Sequence, residues 1–153
     1  MYPELFSHPK SAAAGRIAFR TVIVLVGLAT ADVLFWIGLD IAARLHWLPN
    51  NEFGERWMNL IHFVPLWREV VYGLAGAGMI TALVLLVSRQ RIGVPLFVVA
   101  VILERFDWAF HGFVSSTPET WFGYIELVLM VLAGTSVVVA MPLINWRQRQ
   151  TDR

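Results

Sequence analysis

Apolar residues fall in four long blocks along the chain. The blocks cover residues 21–43, 66–88, 92–114 and 120–144, and most polar residues lie between them. Each block has about 23 residues or slightly more, and an α-helix of that length, rising about 1.5 Å per residue, crosses the hydrocarbon core of a bilayer. The pattern predicts an all-α integral membrane protein, an antiparallel bundle of four transmembrane helices.

The composition agrees with this prediction and excludes a second domain. Of the 153 residues, 58% are hydrophobic and 15% are charged, whereas soluble domains average about 45–50% and about 25%. We expect residues 1–20 to be a cytoplasmic segment, 21–144 the membrane domain with a retained first span, and 145–153 a basic tail. Large nucleotide-binding or nucleic-acid-binding modules do not fit.

Cysteine is absent, which excludes disulfides and thiol chemistry.

The charges predict how the helices are oriented. The segments before the first block, between the second and third, and after the fourth hold eight basic and two acidic residues, a net +6, and the rest of the chain sums to −5. The positive-inside rule places these three segments, including both termini, on the cytoplasmic side of a bacterial inner membrane. Residues 44–65 and 115–119 then face the other side, and residues 50–54 are expected to form a turn.

Two further patterns concern lipid and helix packing. Tryptophans at helix ends are typical of interface anchors, and we expect this role rather than ligand stacking for Trp47, Trp57, Trp67, Trp121 and Trp146. Small residues four apart let helices approach closely in lipid, and in the second block they predict a packing centre at Gly73, Ala77, Gly78 and Ala82. The alternative is that these glycines reflect the general glycine content of membrane helices.

Ionisable residues within the blocks are concentrated at mid-depth and in the halves away from the cytoplasm. Burying an acid at mid-span costs about 2.5–3.5 kcal/mol, so such residues usually face the bundle interior. On the third helix Glu104, Asp107 and His111 share one face within about 60°, and Arg105 points toward an acid on a neighbouring helix. The sequence therefore predicts an outward-opening polar cluster of Asp32, Asp40, Arg44, Glu69, Glu104, Arg105, Asp107, His111 and Glu126.

Four interpretations of this cluster stay open. It can be a structural salt-bridge network in which arginines neutralise the acids, or a proton or cation path. A metal site would use Glu104, Asp107, His111 and Glu126, although the E-x-x-H spacing of metal-binding bundles is missing. Haem ligation would use His62 and His111. No complete catalytic motif is present, and we assign no catalytic residue.

A resemblance of layout adds to this picture. The run 71–101, with Tyr72-Gly73-Leu74-Ala75-Gly76-Ala77-Gly78, the basic turn at 89–91 and Val94-Pro95-Leu96-Phe97, resembles a family of small uncharacterised bacterial four-span proteins. The stretch 35–40 is similar as well. The stretch Glu104-Arg105-Phe106-Asp107 departs from the family, because it is more charged than the family pattern at the same place. The resemblance implies the four-span fold and no particular activity.

These observations favour a non-catalytic accessory or assembly subunit of a larger energy-transducing or transport complex. The alternative is a proton- or cation-coupled carrier or a membrane enzyme, with Glu104 as the deepest proton acceptor and Asp32 opposite it. No cofactor is required by the sequence, and contact with lipid, quinone or pigment stays open. The expected partners are membrane lipids and other membrane subunits or further copies of the chain, and no nucleic acid.

Overall fold

The protein is helical throughout the part that the structure describes. The computed structural model describes the backbone of residues 9–115 and 121–142 and the side chains of 14–106 and 124–142. Its helices are α1 (Pro9–Arg44), α2 (Glu52–His62), α3 (Leu66–Val87), α4 (Gly93–Ser115) and α5 (Trp121–Ala140). The prediction of an all-α protein is confirmed.

The four long helices pack side by side. A short turn joins α3 to α4, and these two form the most extensive helix pair. Helix α1 packs against both α3 and α5, and a smaller contact between α4 and α5 closes the arrangement. Helix α2 packs against α1 at the end of the bundle where α1 ends and α3 begins.

Helices α1 and α3 end in the same backbone motif. His46 and Arg89 adopt left-handed conformations with φ of 54° and 55°. After His46, the Trp47 amide donates to the Ala42 carbonyl at 2.8 Å, and an equivalent 2.8 Å bond follows Arg89. This is the Schellman arrangement, which usually has glycine at the left-handed position. Because neither position is glycine, the sequence carries no obvious signal for these two helix ends.

Helix α2 replaces the turn expected at residues 50–54. Asn51 caps it, since its Oδ1 accepts a hydrogen bond from the Gly54 amide at 2.9 Å. A Cβ at Gly54 would lie 2.1 Å from the Pro49 carbonyl oxygen, so only glycine fits this close approach. The expectation of a turn is therefore corrected to the cap and first turn of an eleven-residue helix. The helix is too short and too polar to form an apolar block in the sequence.

The apolar core occupies the half of the bundle nearest the α3–α4 turn. Its largest buried side chains include Phe97, Met79, Leu86 and Met130, each at most 1% exposed. On α1 the buried core positions recur every three or four residues, which is the spacing of one helix face. Helix hydroxyls near the core bond to their own backbone, as Thr30 Oγ1 does to the Val26 carbonyl at 2.7 Å. The buried charged side chains among the described residues, Arg68, Glu104 and Glu126, are not members of this core.

The small residues of α3 are divided between two faces. A Cβ at Gly78 would lie 3.1 Å from the Ala100 Cβ of α4, and Ala82 is buried in the core. A Cβ at Gly73 would meet nothing within 4 Å, and Ala77 is exposed. Gly78 and Ala82 therefore face another helix of the chain, whereas Gly73 and Ala77 lie on an uncovered surface.

The outer surface of the bundle is strongly apolar. Two helical segments, Ala14–Arg44 and Leu66–Val87, are long and apolar enough to span a membrane, and Tyr124–Ala140 is a shorter apolar helix. Only 28% of the most apolar window of each candidate span is buried, although a core helix of a soluble protein is mostly buried. By length and composition two helices of the described residues could therefore span a membrane, and the four-span arrangement stays a prediction.

We predict that the α3–α4 turn tolerates no side chain at Gly93. A Cβ there would lie 2.9 Å from Leu86 Cγ and 3.0 Å from the Ala82 carbonyl oxygen. Gly93→Ala should lower the free energy of unfolding in detergent by about 1–3 kcal/mol, the usual cost of overpacking. Gly73→Ala is the matched control and should be neutral or slightly stabilising. Equal losses for both variants would contradict this packing.

Candidate functional site

Three helices bring ionisable side chains together inside the bundle. Helix α4 contributes Glu104 and Arg105 near its midpoint, α5 contributes Glu126 and α1 contributes Asp32. Glu104 is 1% exposed and Glu126 is 9% exposed, a burial that carboxyl groups reach only when they are paired. We call these four residues the central cluster.

The Arg105 guanidinium is the bridging group of the central cluster. Its Nε donates to Glu104 Oε2, and one terminal nitrogen donates to Glu104 Oε1 and to Glu126 Oε1, at 2.6 Å each. The two-point contact with Glu104 is the strong bidentate geometry of arginine and carboxylate. The contact with Glu126 joins α4 to α5. The sequence predicts a contact of this kind, because it directs Arg105 toward an acid on a neighbouring helix.

The bond between Glu104 and Arg105 is not expected from helical spacing. Consecutive residues point about 100° apart on a helix and do not normally face each other. The long arginine side chain must therefore turn back toward Glu104 while it also reaches α5. This position places the ion pairs at the interface between α4 and α5, which is the smallest contact between long helices among the described residues.

Asp32 stands at the edge of the central cluster. The Trp36 side chain donates a hydrogen bond to it, and Glu126 and Arg105 on other helices interact with it electrostatically. Its Oδ2 atom is buried and has no hydrogen-bond partner. With three carboxyl groups and one guanidinium, the central cluster has more acidic than basic groups. The excess acid must be offset by bound protons, by a cation or by other groups, because isolated buried charges are costly.

A second group of polar contacts lies where α1 meets α2 and α3. Arg44 binds Glu69 of α3 at 2.5 Å and donates to the Val64 carbonyl at 2.8 Å. The Trp57 indole of α2 donates to Asp40 at 3.2 Å. These bonds hold the α2–α3 connection against the end of α1.

Two residues were missed by reasoning from the sequence. Tyr72 of α3 is half-buried, and acids of both polar groups, Glu104, Glu126, Asp32 and Asp40, interact with it electrostatically. Trp36 binds Asp32 and stacks on Trp57. A phenol within a predicted span was the available signal for Tyr72, whereas Trp36 was indistinguishable from other apolar positions.

The remaining predicted residues are placed as follows. Trp47 and Trp67 are 74% and 52% exposed, and Trp57 is partly buried because it stacks on Trp36 and binds Asp40. Arg68 is buried at 4% exposure. The side chains of Asp107, His111 and Trp121, and the whole of Trp146, lie outside the described residues.

The structure gives no support to a metal site in the part it describes. Among the described residues, no group of three or more histidine, cysteine, aspartate or glutamate side chains is arranged to hold a metal ion. The proposed metal ligands Asp107 and His111 lie outside that part, so the metal and haem interpretations stay untested predictions. The described contacts of the central cluster are ion pairs and hydrogen bonds.

We predict that removing the Arg105 guanidinium destabilises the fold strongly. Arg105→Met leaves Glu104 and Glu126 buried without their cation, and breaking such a pair costs about 3–5 kcal/mol. Arg56→Met is the control, because the Arg56–Glu52 ion pair is 80% and 90% exposed and should contribute nothing measurable. Unfolding in detergent, followed by circular dichroism, provides both free energies.

A double-mutant cycle separates the ion pair from general packing. In a background carrying Glu104→Gln and Glu126→Gln, Arg105→Met should cost much less than in the native chain. A cost that stays the same in both backgrounds would show that the methionine disturbs packing and that the ion pairs contribute little.

Comparison with known proteins gives no family for this chain. No family model matches the sequence, and neither a curated protein nor a solved structure shows significant similarity to it. The resemblance to small four-span proteins thus stays one of layout, and the inference of function depends on the site itself.

Proposed function

We propose that the chain is a four-span protein of the bacterial inner membrane with both termini in the cytoplasm. We further propose that it acts there as a non-catalytic accessory or assembly subunit of a larger membrane complex. The observation that carries this proposal is a buried ion-pair cluster beside an apolar core, inside an exterior that is also apolar. Water-soluble proteins, in contrast, place most of their charged side chains on the surface.

The apolar exterior supports the membrane location. Large side chains such as Phe35, Leu74 and Val131 are 57–60% exposed on α1, α3 and α5. Contiguous apolar surface of this kind marks contact with lipid or with other proteins. Glu104 and Glu126 of the central cluster are buried, in contrast, which is the arrangement required of charges at membrane depth.

The state of the buried acids supports a structural role over a catalytic one. Glu104 and Glu126 are both bonded to Arg105, and Glu69 is bonded to Arg44. Carboxylates whose oxygens are already bonded to arginine on the same or a neighbouring helix are arranged as in a structural salt-bridge network. Uncovered Gly73 and Ala77 on α3 also leave a surface that the helix of another subunit can approach closely.

One observation favours a second function, a proton- or cation-coupled carrier or membrane enzyme. Asp32 has a buried Oδ2 atom without a hydrogen-bond partner, next to Glu126 and Arg105. Acids with spare acceptor atoms inside a helix bundle are typical of proton or cation pathways. In this function Asp32 and Glu104 would take up the ion in turn.

We predict that the protein is isolated with a stable partner. Native mass spectrometry after extraction in mild detergent should detect a complex of this chain with at least one other membrane protein. Glu104→Gln should weaken the fold and the complex together, because it removes one side of the buried ion pair. Glu52→Gln is the control at a 90% exposed carboxylate and should leave both unchanged.

A purified chain in proteoliposomes distinguishes the two functions. A subunit should show no proton or cation flux above that of empty vesicles. A homogeneous monomer or dimer whose pH-dependent flux is abolished by Glu104→Gln and kept by Glu52→Gln would reject the subunit proposal and support the carrier.

A further inference from the structure

Helix α2 has two sharply different faces. With about 100° between residues, its polar side chains lie together on one exposed arc, which holds Glu52, Glu55, Arg56, Asn59 and His62. The centre of the opposite arc faces the bundle, where Gly54 and Ile61 are buried. Phe53 lies at the boundary between the arcs and is 53% exposed.

Aromatic rings connect this boundary to the outer face of α1. Phe53 stacks on Trp57 with ring centroids 6.2 Å apart, and Trp57 stacks on Trp36 of α1 at 5.3 Å. Trp36 in turn contacts Phe35 edge-on at 5.5 Å, and Phe35 is 60% exposed. The exposed edge of α2 is therefore continuous with the apolar exterior of a candidate membrane span.

The orientation of α2 is fixed by specific contacts. The Trp57 indole is hydrogen-bonded to Asp40, and Gly54 packs against the Pro49 carbonyl. These contacts hold α2 against α1 at a constant rotation about its own axis. Its aromatic edge is thereby connected to Phe35 through the stacked rings of Trp57 and Trp36.

The position of α2 in the chain indicates what its aromatic edge contacts. It connects α1 to α3, the two helices that contain the candidate membrane spans. Both connections carry exposed aromatic residues, with Trp47 at 74%, Phe63 at 85% and Trp67 at 52% exposure. Aromatic side chains concentrate at the level of lipid headgroups, where a ring can be buried while polar groups stay hydrated.

We propose that α2 is an interfacial helix that binds the lipid headgroup region with its Phe53 edge and keeps its charged arc in water. This inference rests on the proposed membrane location of α1 and α3. With two glutamates and one arginine, α2 has a net charge of −1. The helix therefore differs from basic interfacial helices and should bind zwitterionic lipid without any requirement for anionic lipid.

The absence of cysteine from the chain makes a direct test practicable. Single variants Phe53→Cys, Asn59→Cys and Leu74→Cys carry a nitroxide label in the full-length protein, reconstituted in phosphatidylcholine vesicles with and without phosphatidylglycerol. Electron paramagnetic resonance then measures label accessibility to oxygen, which partitions into lipid, and to a water-soluble nickel chelate. Leu74 is 60% exposed on α3 and reports on the span itself. Leu60→Cys, on the same edge of α2, replaces Phe53→Cys if that variant does not fold.

The expected result is an oxygen-to-nickel accessibility ratio at Phe53 about twofold or more above that at Asn59, and unchanged by phosphatidylglycerol. Leu74 should have the highest ratio. Equal, water-like ratios at Phe53 and Asn59 with a lipid-like Leu74 would overturn the interfacial helix and leave the membrane location intact. Low accessibility of Phe53 to both reagents would also overturn it, because protein would then cover the edge. Water-like ratios at all three sites would overturn the proposed membrane location itself.

Discussion

The contact of one guanidinium with two buried carboxyl groups is the constraint on which this bundle depends. Arg105 holds Glu104 on its own helix and Glu126 on α5, at the interface that is smallest among the long helices within the described residues. At the proposed membrane location lipid provides no hydrophobic force to press helices together, so packing and polar contacts must do so. The ion pairs therefore join α4 to α5 where packing between their described residues is least extensive.

The other helices meet the same requirement in a different way. The α3–α4 pair uses close approach, with Gly78 against Ala100 and Gly93 against Leu86. Helix α1 contacts its neighbours through a column of small apolar residues from Val22 to Val33 and through polar contacts of Asp40 and Arg44 nearer its end. Tyr72 of α3 interacts electrostatically with acids of α1, α4 and α5.

Much of the helical layout could be predicted from the sequence, because each of the four long helices corresponds to a long apolar block. Helix α3 runs from Leu66 to Val87, within one residue of the predicted block 66–88. Helix α2 could not be predicted from these blocks, since it is short and half polar. The binding of both Glu104 and Glu126 by Arg105 was only partly predictable. Helical spacing indicates a partner on another helix, whereas the bond to Glu104 depends on how a flexible side chain bends.

We propose that the α1–α2 connection and the α3–α4 turn lie on opposite sides of a membrane, with the central cluster between them. The most direct test is labelling of Asn50→Cys and Gln90→Cys with a membrane-impermeant maleimide in intact and permeabilised bacterial spheroplasts. We predict that Asn50→Cys is labelled in intact spheroplasts and Gln90→Cys only after permeabilisation, in agreement with the charge distribution. Labelling of both sites from the same side would contradict it.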